Sequence, residues 1–223
     1  MSEEKNILTE EKKEPSSIKL IMALGITGML SGIILVSAYL YTNPMILANK
    51  KAALESAIFK VLPECKEYTA MELVDGQLRE QVQTATTANR TEETPLVYAG
   101  YDEKGELIGF AVPGSEPGFQ DIIVSILGFD HVKKQIIGLQ ILESKETPGL
   151  GDKIFKDQDF QKNFEALVVD PNIEIVKKGE KTKANQVDAI TGATISSKAV
   201  VASLNHSMEQ WKKPIADFVA EQE

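Results

Sequence analysis

The sequence contains one cysteine, Cys65, two histidines, His131 and His206, and one tryptophan among 223 residues. A single thiol excludes an internal disulfide framework, a four-thiolate zinc site, a cysteine-ligated iron–sulfur cluster and a C-x-x-C-H haem attachment. With only two histidines besides, no metal site is expected, and Cys65 reads as a packing thiol. Basic residues are scarce as well: 24 Lys and Arg against 33 Asp and Glu leave a net charge of −9. A nucleic-acid backbone rewards clustered Lys and Arg, so nucleic acid is excluded as a partner. The usual nucleotide and hydrolase signatures are missing too, with no G-x-x-x-x-G-K-[ST], no G-x-G-x-x-G after a strand, no G-x-S-x-G and no H-E-x-x-H. What remains, 43% hydrophobic and 26% charged residues, is an ordinary composition for a folded chain long enough to bury a core.

Charge is absent from one long stretch. Residues 20–41 form a run of 22 without a charged side chain, between Lys19 and Asn43-Pro44. As a helix this run reaches about 33 Å, against roughly 30 Å of bilayer hydrocarbon. A signal peptide would have a shorter apolar region and a small-x-small cleavage site, whereas Tyr39, Tyr41 and Asn43-Pro44 follow here. The run therefore predicts a transmembrane helix over residues 20–42, with Tyr39 and Tyr41 in the interfacial aromatic belt. Gly28 and Gly32 have the G-x-x-x-G spacing that admits a partner helix, although glycine is common in membrane helices. Lys5, Lys12, Lys13 and Lys19 precede the run and Lys50, Lys51 and Lys60 follow it. This slight bias makes residues 1–19 a short cytoplasmic tail and residues 43–223 an extracytoplasmic domain.

Beyond the anchor the pattern predicts one α+β domain of hairpin-paired strands with flanking helices. Ile46, Leu47, Leu54, Ala57, Ile58, Val61 and Leu62 recur at helical spacing up to Pro63. Asp75-Gly76 suits a hairpin turn, and residues 81–94 read as an exposed loop. Strands are expected at 96–101, 107–112, 121–129, 135–142 and 173–176, with a short helix at 157–167. Ile195, Ala199, Val201, Leu204, Met208 and Trp211 form the apolar side of a closing helix that runs towards Pro214.

Two segments concentrate Gly, Thr and small residues at element boundaries. They are Glu146-Thr147-Pro148-Gly149-Leu150-Gly151 and Asp188-Ala189-Ile190-Thr191-Gly192-Ala193-Thr194, the latter followed by Ile195-Ser196-Ser197. The second delivers Thr194 to the N-cap of the closing helix, where unpaired N–H groups and the helix dipole favour an anion. Local physics alone permits a simpler role, in which Thr194 only caps its helix. Likewise Asp188 suits an exposed turn residue, and Pro148-Gly149 an ordinary turn.

The stretch from Asp188 to Thr194 resembles the D-x-x-[ST]-G-A-T flavinylation motif of the FMN-binding domain family. Together with the 146–151 segment, the single anchor and the closing helix, it makes the chain similar to the G subunit of Rnf electron transport complexes. The likeness extends from the anchor to about Trp211, with no motif in residues 64–95. It implies FMN joined by a phosphoester to Thr194 and installed by a flavin transferase that recognises Asp188 and uses FAD and Mg²⁺. It also implies flavin contacts from Glu146, Thr147, Gly149, Leu150, Gly151, Thr191, Gly192 and Ala193, with Glu146 ordering its loop. Lys145 and Lys153 flank that loop and are candidates for stabilising a reduced, anionic flavin. Many relatives have Gly-Tyr where this chain has Gly118-Phe119, so the ring is kept and the phenol is lost. The implied function is electron relay between the membrane components of a ferredoxin:NAD oxidoreductase that moves Na⁺ or H⁺, with no catalytic residue acting on a substrate. The alternatives are the C subunit of the Na⁺-translocating NADH:quinone oxidoreductase, which shares both motifs, an anchored flavin-based redox sensor, and an interaction module without flavin.

Overall fold

A computed structural model describes residues 16–81 and 96–222, so all but the first residue of the loop expected at 81–94 lies outside the described residues. The uncharged run lies in a helix, α1 (Ser17–Val61), that continues through Pro44. The two helical stretches expected on either side of Asn43-Pro44 are thus one element. Proline removes one backbone donor and crowds the preceding turn, and beside it the Thr42 hydroxyl bonds back to the Ala38 carbonyl at 2.8 Å. The chain divides into two units, Met1–Lys51 and Ala52–Glu223. In the first, the helix exposes its apolar side chains and contains a window of mean hydropathy 2.2, which makes it long and apolar enough to cross a membrane.

The second unit is built on β1 (Glu67–Val74), β2 (Gln77–Glu80), β3 (Leu96–Tyr101), β4 (Leu107–Pro117), β5 (Ile122–Asp130), β6 (Gln135–Glu143) and β7 (Leu167–Val168). These form a sheet in the order β2-β1-β3-β4-β5-β6-β7, with every pair antiparallel. The hairpin turns are built from residues suited to them, at Asp75-Gly76 as expected. Asp75 and Gly76 both have positive φ between β1 and β2, and Asp102 accepts from the backbone of Lys104 and Glu106 between β3 and β4.

After β6 come two short helices, α2 (Lys153–Lys156) and α3 (Gln158–Lys162), where a single helix at 157–167 was expected. Asp157 interrupts them: its extended backbone ends the first, and its carboxylate caps the second by accepting from Asp159 and Phe160. A second, parallel pair consists of β8 (Glu174–Val176) and β9 (Gln186–Asp188). The closing helix, α4 (Thr194–Ala220), passes through Pro214 instead of stopping there.

Both faces of the sheet are covered. On one, Ala199, Leu204, Met208 and Trp211 of α4 pack against Val97, Phe110, Val112 and Leu127 in the larger core. The approach of α4 to β4 is close because Gly114 lacks a side chain: a Cβ there would lie 2.4 Å from the Ser207 hydroxyl and 2.6 Å from that of Ser203. On the other face, Ala57, Ile58 and Val61 at the end of α1, and Leu62 just after it, pack against Tyr98, Ala111 and Ile126. Gly128, paired with Ala111 on one side and Gly138 on the other, forms part of the floor under Val61. Cys65 is buried at the edge of this cluster with its thiol 3.1 Å from the Glu67 carbonyl, and burial pushes its pKa up, which suits packing.

Candidate functional site

The 146–151 loop leaves the end of β6 and meets the first turn of α4, so the two motif segments are adjacent although they lie some forty residues apart. Glu146 makes the junction. The residue is only 5% exposed. One carboxylate oxygen accepts from the backbone N–H of Phe119 at 2.8 Å and Gln120 at 3.0 Å, and the other from the Ser196 hydroxyl at 2.5 Å. Burial by itself would raise the Glu146 pKa, but the bonds from Ser196, Gln120 and Phe119 outweigh it and hold the carboxyl below its ordinary value.

Gly151 and Gly118 make room for this carboxylate. A Cβ on Gly151 would lie 2.6 Å from one oxygen of Glu146, and a Cβ on Gly118 would lie 2.5 Å from the other. At Gly151, expected as a flavin contact, the absence of a side chain thus makes room for Glu146. Gly149 sits at φ +79, open to solvent, and its N–H is held by Asp152 at 2.8 Å.

A folded-state pKa below the unfolded one means that Glu146 stabilises the protein above the unfolded carboxyl range and loses that contribution as pH falls through the folded value. Glu146→Gln is therefore expected to destabilise the protein by about 2 kcal/mol at neutral pH. The difference from wild type should shrink on acidification below about pH 4. Chemical denaturation of both proteins across pH 3–7 tests this, and a gap that stays constant with pH would refute it.

The second segment is held by Ser197. Its hydroxyl accepts from the Ile190 N–H at 3.1 Å and donates to the Ala193 carbonyl at 2.9 Å, closing the turn in which Gly192 has φ +84. This corrects the expected capping arrangement. Ala193, with no side-chain acceptor, occupies the N-cap, and Thr194 is the first helical residue. Thr194 is exposed, and its hydroxyl makes no hydrogen bond among the described residues. Helix periodicity also misplaced Ile195, which is 54% exposed although its neighbours Ser196 and Ser197 are buried.

A groove of about 320 Å³ runs between the segments. Of the residues expected at the site, Glu146, Thr147, Leu150, Gly151, Gly192, Ala193 and Thr194 line it; Gly149, Thr191 and Asp188 do not. Phe119, Ile195 and Ser196 also line it. None of these three was expected to contact the flavin; Phe119 carried a signal as a departure from the usual Gly-Tyr, and Ile195 and Ser196 as the residues that directly follow the second segment. Leu150 and Phe119 are 49% and 64% exposed, so the groove presents apolar surface to solvent.

Thr191, Gly192 and Thr194 also border a neighbouring groove with Lys177, Lys178 and Lys198. No motif pointed to these lysines; the one available signal was the four-residue spacing of Lys198 from Thr194 on a helix. Lys145 and Lys153 line neither groove, and Lys145 is paired with Asp121 at 2.6 Å. Asp188 is half-buried on β9, with a carboxylate oxygen accepting from the N–H of Gly179 at 3.0 Å and Lys181 at 3.3 Å.

These features fit FMN. The Thr194 hydroxyl stands free at a helix start that favours a phosphate, and the adjoining groove offers Leu150, Phe119 and Ile195 to a flat apolar ring. Residues 118–209 match the FMN-binding domain family. The chain is 27% identical over 191 residues to the G subunit of the ion-translocating oxidoreductase complex of Methanosarcina acetivorans, covering 86% of this chain and 92% of that protein. It is 31% identical over 157 residues to the G subunit of the Na⁺-translocating ferredoxin:NAD⁺ oxidoreductase complex of Acetobacterium woodii, covering 69% and 71%. The crystal structure of NqrC from Shewanella oneidensis superposes with a TM-score of 0.62 at 16% identity, over 76% of this chain and 99% of that one, a likeness of fold.

Proposed function

The chain belongs to the G-subunit family of ion-translocating oxidoreductase complexes, the Rnf family, and from that premise we propose that it relays electrons within such a complex through FMN held by a phosphoester at Thr194. The observation that carries this reading is the exposed, unbonded Thr194 hydroxyl at the start of α4, beside a groove lined by Leu150, Phe119 and Ile195. Bound FMN would supply one- and two-electron redox chemistry.

The protein's own part is to hold and orient that group. Thr194 tethers it, Leu150 and Phe119 offer apolar surface to the ring, and the Glu146–Ser196 bond keeps the 146–151 loop against α4. The remaining partners in this reading are the other membrane subunits of the complex and a flavin transferase that draws on FAD. The likeness to NqrC is one of fold, whereas the sequence relatives support the Rnf reading over the quinone-reductase one.

The first test is peptide mapping by mass of the protein purified from its own membranes. The tryptic peptide of residues 184–198 is expected to carry about 438 Da, the mass of FMN less water. An unmodified peptide from a transferase-positive host would remove the main support for the relay.

The same reading places α1 across the membrane once, with the Ala52–Glu223 unit outside the cytoplasm. Cys65 is buried, so a cysteine introduced at an exposed turn supplies the accessible thiol. Val132→Cys, 77% exposed in the wild type, is expected to react with a membrane-impermeant maleimide in intact cells stripped of any outer membrane. Labelling only after lysis would put the domain on the opposite side.

A further inference from the structure

The groove on the other side of Thr194 has no part in the relay as described above. Its volume is about 480 Å³, and Lys177, Lys178 and Lys198 line it together with Thr191, Gly192 and Thr194. No carboxylate lines it, and none of the three lysines is in an ion pair among the described residues. Lys198 follows Thr194 by one helical turn, so the two side chains share a face of α4. Lys177 and Lys178 arrive on the turn after β8, a turn fixed by its own backbone and by a residue outside it. The Glu180 N–H bonds the Lys177 carbonyl at 2.9 Å, Gly179 takes φ +85, and Asp188 accepts from the N–H groups of Gly179 and Lys181. The Asp188 N–H in turn donates to Asn163 at 3.2 Å. The carboxylate of Asp188 is thus engaged by the backbone of the segment that carries two of the three cations.

We propose that this lysine groove seats the phosphate side of the flavin nucleotide during and after attachment to Thr194, and that Asp188 is a positioning residue that sets the lysine turn in place. The inference rests on Thr194 being the attachment site. In the transfer, the Thr194 oxygen forms a bond to the flavin-side phosphorus of FAD, and the bond from that phosphorus to the bridging oxygen breaks. AMP departs with the bridging oxygen, and the hydroxyl proton passes to a base on the transferase. No electron changes hands. The cations offset the charge gathering on the pyrophosphate, and Lys198 then faces the single negative charge of the phosphodiester beside the positive end of α4.

Two measurements on the full-length chain in detergent, made without the transferase so that it starts free of flavin, test the inference. Inorganic pyrophosphate is expected to shift the backbone amide resonances of residues 191–196 and Gly179 saturably, and the Lys177→Met/Lys178→Met double variant is expected to lose the response. Unmoved amides in the wild type would overturn the groove. The initial rate of flavin incorporation by purified transferase with FAD and Mg²⁺, read by intact mass, supplies the second test. Asp188→Asn keeps an oxygen acceptor for both N–H groups and is expected to stay within about threefold of wild type, whereas Asp188→Ala and the double lysine variant fall by about tenfold or more. Asp188→Asn failing as badly as Asp188→Ala would overturn the positioning role, since the carboxylate charge would then be what is read. Wild-type rates in the double variant would overturn the groove. A wild-type chain that takes up no flavin, from a transferase active on a control protein, would instead sink the Thr194 reading, and the pyrophosphate titration would still decide the groove.

Discussion

Thr194→Ala is expected to abolish covalent flavin while leaving the protein as stable as the wild type. The two halves of this expectation have separate physical origins. Thr194 is exposed, makes no side-chain hydrogen bond among the described residues and begins a helix whose N-cap is Ala193. Alanine is at least as good a helix former, so the stability change should stay within about 0.5 kcal/mol. The hydroxyl, by contrast, is the only atom that can form the phosphoester at this position, so in-gel flavin fluorescence after denaturation should fall to background. Thr194→Ser retains the oxygen and should retain flavin. Thr191 is the informative control: it lies three residues away in the turn that precedes α4, and Thr191→Ala is expected to remain flavinylated. Fluorescence that survives Thr194→Ala and disappears in Thr191→Ala would move the attachment point and refute the assignment.

Gly128→Ala should damage the fold more than any substitution in the groove beside Thr194. A Cβ at Gly128 would lie 2.0 Å from the Val61 carbonyl oxygen and 3.2 Å from the Val61 Cβ. The first of these is backbone at the end of α1, so no rotamer change relieves the clash. Either β5 or the end of α1 has to move, and both belong to the packed cluster of Ile58, Val61, Leu62, Ala111 and Ile126. Overpacking of this kind is expected to cost about 3 kcal/mol or more. Thermal melting of the full-length chain in detergent measures the cost, and limited trypsinolysis at Lys60 reports whether the end of α1 has come away. Gly105→Ala provides the comparison, because Gly105 has φ +80 with open space around it and should cost only about 1 kcal/mol. A Gly128→Ala protein that melts like the Gly105 variant would mean that the clash relaxes at little cost.

Much of the architecture was legible in the sequence because it is coded locally. The strand at Leu96–Tyr101 has the predicted bounds, and β5 and β6 lie within a residue of theirs, since runs of Ile, Val and Leu between turn residues carry their own signal. Strands β1 and β2 were signalled only by the Asp75-Gly76 turn between them, and the short strands β7 and β9 were missed: two or three residues give no period, and their pairing with β6 and β8 is a tertiary event. Pro44 and Pro214 were read as helix boundaries, yet α1 and α4 pass through both, because a missing N–H and a crowded turn impose a local cost that the rest of a long helix can absorb.

At the site, the sequence by itself determined which two segments stand out, and its resemblance to the FMN-binding domain family supplied the chemistry proposed for them. The T-G-A-T turn, the 146–151 loop and an uncharged run long enough to span a bilayer are properties of consecutive residues, and they point to family, cofactor and anchor without coordinates. Only the tertiary structure decided how those residues are used. Glu146 meets Ser196 fifty positions away, Gly151 gives its space to that carboxylate, Asp188 engages the lysine turn, and Thr194 stands free of the capping role that its position in the sequence suggested. Hydrogen bonds and close approaches between segments distant in the chain exist only once the sheet has brought β4, β6 and α4 together, and no local pattern of residue types encodes which of several polar groups will then be nearest.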